Sequence, residues 1–498
     1  MLVNEPSQNE KSSVMPILNA VSTTSMDTSV ITENNHNIIN LTTNPNPNPT
    51  SSSMASILLP PQLAPFDGIR GICSILVVIG HISLYWSPNA EGSTWPVIGI
   101  EFLSAVSLFF LISGFTLTIV YGKKNRTSAT EITTIVNPAT TVPSSTFVAY
   151  TSLPLQGKER RTFFVKRIGR LAPVYYVSLI IAIAPLLVYK DIFAISTSVP
   201  LTLLWLQSIT CLIGNEWNGP LWTASAFALI YLLFPRLLQY YSTKTEAQLR
   251  THMIRFYFLS VTIAVDWLFQ VPSGLEFFLH AFVLFRIPQF IMGICAAFIS
   301  QTYRFKNPIL VIELCTMLLL INQGIAIYLN IAFGLGTLFF YQYLAEFILP
   351  IIQIIWLMAL SDPSVNRSHQ SIDNSSLATG LTSNIAIVDY PNDHSSKKSL
   401  FSLTKWFLML KPLKYLGDIS YSLYCLHWPL INWLAWIIRH QGISNTAVPI
   451  YNVYGLMVYF FYPGWSIPLV VIFCIGCASI IHYILESPAR KAITNNAS

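Results

Sequence analysis

Arg70 and His81 stand eleven residues apart on a stretch, Phe66–His81, that otherwise reads as apolar and small residues fit for a membrane helix. On a helix that spacing is about three turns, which puts both side chains on nearly one face, roughly 16 Å apart along the axis. Ionisable groups at bilayer depth cost about 2.5–3.5 kcal/mol each, so they usually line a cavity or a pathway. An arginine at the interface and an interior histidine bonded to a neighbouring helix would fit the same spacing.

Other residues could join them. Arg167 and Arg170 are three apart in Phe163-Phe164-Val165-Lys166-Arg167-Ile168-Gly169-Arg170, hence neighbours on one helical face. Paired guanidiniums can clamp the phosphates of a cytosolic ligand through bidentate bonds. The same pair equally suits anchoring by the positive-inside rule. Tyr421 and His427 lie in the run Leu416–Pro429, where His427 falls near mid-membrane and can approach the level of His81. The last span ends in His482, Glu486, Ser487 and Pro488. Arg286 precedes Pro288, and a buried arginine can bond the carbonyl that a proline frees. Ser113-Gly114 suits close helix packing, and Trp222 an interfacial aromatic belt. Two histidines and two arginines within bilayer reach exceed what packing alone needs.

The elements that must position these groups follow from composition. The chain has 498 residues, 53% hydrophobic and 10% charged, with a mean hydropathy of +0.54. A soluble domain carries about 25% charged residues, so this is a polytopic membrane protein set in a lipid bilayer. The net charge of +6 lies in loops between apolar runs and points to no nucleic-acid partner. Seven cysteines, placed singly, make no disulfide framework. Cys474 and Cys477 form a CxxC inside a long apolar run with no second pair, so packing is expected there and no metal site is read.

Residues 1–60, rich in Ser, Thr, Asn and Pro and lacking the pattern of a cleavable signal, read as a disordered cytosolic tail. Apolar runs long enough to span a bilayer follow at about 68–86, 97–121, 172–190, 221–241, 255–272, 275–302, 309–331, 335–360, 414–438 and 453–485. The stretch 199–213 reads as a re-entrant or interfacial piece. With about ten transmembrane helices and both termini cytosolic, the clusters Lys123/Lys124/Arg126, Lys158–Arg170, Arg236–Arg255, Arg304/Lys306, Lys397–Lys414 and Arg490/Lys491 share one side. The positive-inside rule is then satisfied, whereas a span at 199–213 would reverse every later cluster. The expected architecture is an all-α, polytopic membrane helix bundle. Its domain covers 61–490, broken by disordered cytosolic insertions at 123–160 and 361–400, with a short cytosolic tail at 491–498. The sequons at Asn40, Asn125, Asn366, Asn374 and Asn496 all fall in the cytosol, where none carries a glycan.

Taken in order, these blocks resemble the acyltransferase-3 family of integral membrane acyltransferases. Phe66–His81 is similar to the family's opening Leu-Asp-Gly-Leu-Arg-Gly and apolar run to His, with the same Arg-x10-His spacing. Ser113-Gly114-Phe115, Arg167-Ile168-Gly169-Arg170 with Pro173, Leu221-Trp222 through Tyr231 and Pro235, Phe285–Gly293, Leu416–Pro429 and Glu486-Ser487-Pro488 match the later blocks. One departure stands out: the family's Trp-Ser-Leu-Ser-x-Glu block carries acidic residues where this chain has Phe227 and Ala228. The resemblance implies transfer of an acyl group, often acetyl, from cytosolic acyl-CoA to a hydroxyl acceptor such as a carbohydrate or lipid. It implies that Arg167 and Arg170 hold the CoA phosphates and that Arg70 positions the donor. His81 would serve as general base or be transiently acylated, with His427 and Tyr421 as further catalytic candidates. The alternative is a non-catalytic transporter or receptor-like protein on the same scaffold, which the missing acids and long insertions favour and the paired ionisable residues disfavour.

Overall fold

The structure, a computed structural model, describes residues 63–84, 100–122, 155, 157–184, 187, 192–210, 217–270, 280–333, 335–365, 401–440, 450–451, 457–458 and 466–497. All belong to the unit Ile57–Ser498. The expected tail 1–60, residues 123–154 and 366–400 of the two insertions, and the sequons other than Asn496 lie outside the described residues.

Among the described residues the regular structure is helical apart from one pair of two-residue strands. Helices α1 (Ala64–Leu84), α2 (Leu103–Gly122) and α3 (Gly157–Ile181) carry the first three site blocks. The short α4 (Ile192–Leu203) and α5 (Gln207–Thr210) follow, and a 3-10 turn (Gly219–Leu221) leads into α6 (Trp222–Ser242). Next come α7 (Glu246–Gln270), α8 (Val283–Thr302), α9 (Pro308–Phe333), α10 (Leu335–Ile348) and α11 (Pro350–Leu360). An elbow of α12 (Leu403–Leu408) and α13 (Lys411–Asp418) precedes α14 (Ser420–His440). Strands β1 (Ile450–Tyr451) and β2 (Met457–Val458) pair antiparallel before α15 (Ser466–Ile481). A π-turn (His482–Glu486) then joins α15 to α16 (Ser487–Ala497).

Among the described residues six helices are long and apolar enough to cross a membrane. The pair Phe340–Ile348 and Pro350–Leu360, bent by 46°, raises the number to seven if it forms one span. Three more of the expected runs hold helices of 25, 25 and 21 residues (α3, α7 and α14) whose composition is more polar. Of the stretch 199–213 the described residues, 199–210, hold no long helix: α4 has 12 residues, about 18 Å against a hydrocarbon core of about 30 Å. Trp205 then turns the chain in the left-handed region, at φ 59°. The Ser225 hydroxyl donates to its carbonyl at 2.5 Å, and Tyr175 stacks on its ring at 4.0 Å.

Several expectations are corrected. The run 453–485 is not helical from its start, because 457–458 is strand and the helix begins at Ser466, after Pro463-Gly464. The insertion expected over 123–160 ends earlier, since the charged residues 158–161 already form the first turn of α3. The insertion at 361–400 begins later, since Asp362 caps Ser364 at 2.9 Å and Val365 is buried. The 491–498 tail is helical through Ala497, packed on α3 with Ile493 against Gly169.

Apolar all round, α2 is buried along most of its length, whereas the equally apolar α9 leaves Leu310, Leu314, Leu318 and Ile325 exposed on the rim. Small residues bring α2 against α8. A methyl on Gly114 would collide with the Phe290 carbonyl, and one on Gly293 with that of Leu111. Arg286, on α8, does not spend its donors on the carbonyl freed by Pro288. It pairs with Glu346 of α10 at 2.8 Å and donates to the His280 carbonyl and to Gln289. A fully buried guanidinium needs a carboxylate, which a lone carbonyl cannot replace. His280 Nδ1 meets the same carboxylate at 3.0 Å, and Gln289 carries the network to Ser107 of α2.

Candidate active site

Five helices, α1, α2, α3, α6 and α14, enclose a cavity of about 100 Å³. Its lining on α2 runs from Val106 to Leu117, about 16 Å along the helix axis. Arg70 of α1 and Arg167 and Arg170 of α3 face it, three guanidiniums in all. Arg70 is paired with Asp67, one turn earlier. Among the described residues Arg167 and Arg170 have no carboxylate partner, and Arg167 Nε is a buried donor with no hydrogen bond. The Arg167 guanidinium lies 6.0 Å from the Tyr231 ring, whose hydroxyl meets Ser113 at 3.0 Å. The remaining wall is mostly apolar: Phe109, Ile112, Ala224 and Phe227. Phe227, at the family's acidic position, stacks on Phe110 at 4.4 Å, and no Asp or Glu lines the cavity among the described residues. Ala228 is not among the lining residues.

His81 and His427 form a pair. Nε2 of His427 lies 3.0 Å from Nδ1 of His81, with ring centroids 5.0 Å apart. Nδ1 of His427 lies 3.2 Å from the Leu423 carbonyl. A carbonyl only accepts, so that nitrogen carries the proton and Nε2 of a neutral His427 presents a lone pair. With Nδ1–H of His81 shared between it and the Val77 carbonyl one turn back, Nε2 of His81 keeps a lone pair. The rings of Phe102 and Trp428 hold His81 from either side, at 5.2 Å each.

The six sequence-derived residues therefore fall into two groups. Arg70, Arg167, Arg170 and Tyr421 line the cavity; His81 and His427 do not. Tyr421 donates its proton to the Leu171 carbonyl at 2.8 Å and so ties α14 to α3. Tyr424 joins the two groups, lining the cavity while its ring packs 5.7 Å from that of His427. Sequence reasoning missed it, although residues 421, 424 and 427 are three apart on one helical face. The buried His280–Glu346–Arg286 cluster was also missed, because its carboxylate comes from a helix read only as a span. His482 and Ser422 both meet Glu486, at 3.0 and 2.5 Å, outside the cavity. Among the described residues no group of three or more His, Cys, Asp or Glu side chains could hold a metal ion.

Comparison with curated proteins and with solved structures gives no match. A family model described as an acyltransferase domain matches residues 64–483 and so spans every block that carries the cavity and the histidine pair. With six apolar helices able to cross a membrane, the chain belongs to the acyltransferase-3 family and is an integral, multi-pass membrane acyltransferase.

Proposed function

We propose that the protein moves an acyl group, acetyl in the simplest case, from cytosolic acyl-CoA to a hydroxyl acceptor, in a ten-span topology with both termini cytosolic. The observation that carries this reading is the cavity itself. Three guanidiniums, one with a buried unpaired N–H, line a mostly apolar slot, and Tyr424 on its wall packs its ring 5.7 Å from that of His427. Arginines without carboxylate partners suit phosphate oxygens, which accept charge-assisted bonds. The slot beyond them suits a thread-like, largely apolar donor arm.

The chemistry follows from the imidazole tautomers. Nε2 of His81 removes the proton of the acceptor hydroxyl as its oxygen attacks the thioester carbonyl. The C–S bond breaks, and the imidazolium returns the proton to the departing thiolate. His427 holds the tautomer, Arg70, Arg167 and Arg170 hold the donor, and Tyr421 braces the wall. The test is turnover of radiolabelled acetyl-CoA by purified wild type, His81→Ala and Arg167→Ala/Arg170→Ala. Release or transfer of label should fall about 10²–10⁴-fold in the histidine variant. The arginine variant should lose saturable CoA binding. Full turnover by His81→Ala overturns the assignment; a wild type that neither binds CoA nor turns over favours the non-catalytic alternative.

A further inference from the structure

Seven side chains bring a hydroxyl to the wall of the arginine-lined cavity, and most have already given their proton away. Thr116 donates to the Ile112 carbonyl at 2.7 Å and Thr223 to that of Pro220 at 3.0 Å. Ser420 donates to the Gly417 carbonyl at 2.7 Å and Tyr421 to that of Leu171 at 2.8 Å. Tyr424 hydrogen-bonds with Thr223. The two that remain, Ser113 of α2 and Tyr231 of α6, meet each other at 3.0 Å. A hydroxyl carries one proton. Whichever of the two donates, the other keeps its proton, and no acceptor among the described residues takes it. Both residues are half-buried and line the cavity, so a ligand can reach that proton.

The position of the pair along the slot narrows what it meets. The Arg167 guanidinium lies 6.0 Å from the Tyr231 ring, so the pair stands at the arginine level. Ser113 is seven residues from Val106, the far end of the α2 lining, about 10 Å along the axis. Phe227 flanks Tyr231 at 5.8 Å and, with Ile112, makes the wall there apolar. A carboxylate at position 227, one helical turn from Tyr231, could take the spare proton itself; a phenyl ring leaves it for a ligand. The slot therefore offers cations, then a neutral O–H, then an apolar stretch. The arm of CoA has the same order when followed from its pyrophosphate. A dimethyl carbon, a hydroxyl and an amide carbonyl come within a few bonds, and the sulfur stands at the far end. Phosphate oxygens take the guanidiniums, whose charge-assisted bonds are stronger. An amide carbonyl, which only accepts, takes the O–H.

We propose that the Ser113–Tyr231 hydroxyl pair binds the amide of the CoA arm nearest the phosphates, so that the donor is recognised in two parts, head by arginines and arm by this pair. The proposal rests on the acyl-CoA reading above. The probes are CoA and ADP, which carries the pyrophosphate but no arm. Calorimetry on the purified full-length protein in lipid nanodiscs measures both. Wild type binds CoA more tightly than ADP. Ser113→Ala/Tyr231→Phe keeps the ring beside Arg167 and removes both hydroxyls, so Kd for CoA rises about 2- to 13-fold, the scale of one neutral hydrogen bond. Kd for ADP stays constant, which a general disturbance of the cavity would not allow. Ser113→Ala and Tyr231→Phe alone each leave one hydroxyl that can turn to the ligand. They show the same split at smaller size, so the proposal stays testable if the double variant does not fold. Equal weakening of CoA and ADP, or no weakening of CoA, overturns the role of the pair while CoA binding by wild type stands. A wild type that binds CoA no more tightly than ADP overturns it too. A wild type that binds neither overturns the acyl-CoA reading and the pair with it.

Discussion

Replacing His427 separates a positioning role from a catalytic one. In the wild type the Leu423 carbonyl fixes the proton on Nδ1 of His427, and Nε2 of His427 accepts Nδ1–H of His81. His427→Phe keeps the ring volume in a fully buried position and removes the acceptor. Nδ1–H of His81 would then lose its side-chain acceptor and keep only the Val77 carbonyl, at a cost of about 0.5–1.5 kcal/mol. The imidazole escapes that cost by moving its proton to Nε2, the nitrogen needed as base. The productive tautomer is therefore disfavoured by the same amount, and kcat falls about 2- to 13-fold. His81→Ala removes the base itself and loses about 10²–10⁴. His427→Gln supplies a side-chain oxygen that can accept the same N–H, so it should recover to within about twofold of wild type. The assay is single-turnover transfer of labelled acetyl from acetyl-CoA at saturating donor, with KM for acetyl-CoA measured in parallel and expected to stay constant. The reasoning fails if His427→Phe equals wild type. It also fails if His427→Gln is as damaged as His81→Ala, because His427 would then be acting on substrate directly.

Three further outcomes bear on the scaffold. Glu346→Ala leaves Arg286 fully buried without its carboxylate and should cost about 3–5 kcal/mol of stability; thermal unfolding in nanodiscs measures it, and Arg286→Met/Glu346→Met should recover most of the loss. Gly293→Ala drives a methyl into the Leu111 backbone and should destabilise by about 1–3 kcal/mol, read in the same assay, with no loss meaning that α2 and α8 can separate freely. Burial pushes the Lys405 ammonium, on the short α12 outside the spans, down to about 8. The unfolded chain then binds more protons than the folded one between about pH 8 and 10.4, so stability rises with pH across that window; Lys405→Met should abolish the rise, seen as a flat melting temperature from pH 8 to 10.

What could be read from the sequence divides along physical lines. Long apolar runs report the solvent each segment meets, so a helical, multi-pass membrane protein was legible. The Arg70–His81 and Arg167–Arg170 pairs were legible because helical spacing fixes which side chains share a face. Partner choice across helices was not. Arg286 was read against the nearby Pro288, but its carboxylate is Glu346, sixty residues away on a different helix. The cavity behaves likewise: Arg167 and Tyr421 carry no local signal that they share it, and Tyr424 is visible as a link only once α14 lies beside α1. The strand pair at 450–451 and 457–458 escaped a reading of hydrophobicity alone, because length and apolarity do not distinguish a helix from extended chain ahead of a Pro-Gly break.

Phe227 decides how far the family's chemistry carries over. An acid at that position would enter a cavity whose walls already hold three guanidiniums and, among the described residues, no carboxylate. It would neutralise part of the field that suits phosphate, and it would stand ready as a base or an orienting group. With a phenyl ring stacked on Phe110 instead, the arginines keep their attraction for anions undiminished, so a donor site does not depend on the missing acid. Buried carboxylates outside the cavity are engaged already: Glu346 by Arg286 and His280, Glu486 by His482 and Ser422, and Glu101 by Ser104. Among the described residues the candidate base is then an imidazole, and His81 beside His427 is the one the proposed chemistry uses. Substituting Phe227 for the acid therefore does not argue against acyl transfer. On the proposed reading it places proton removal on His81, and His81→Ala should lose about 10²–10⁴ in rate.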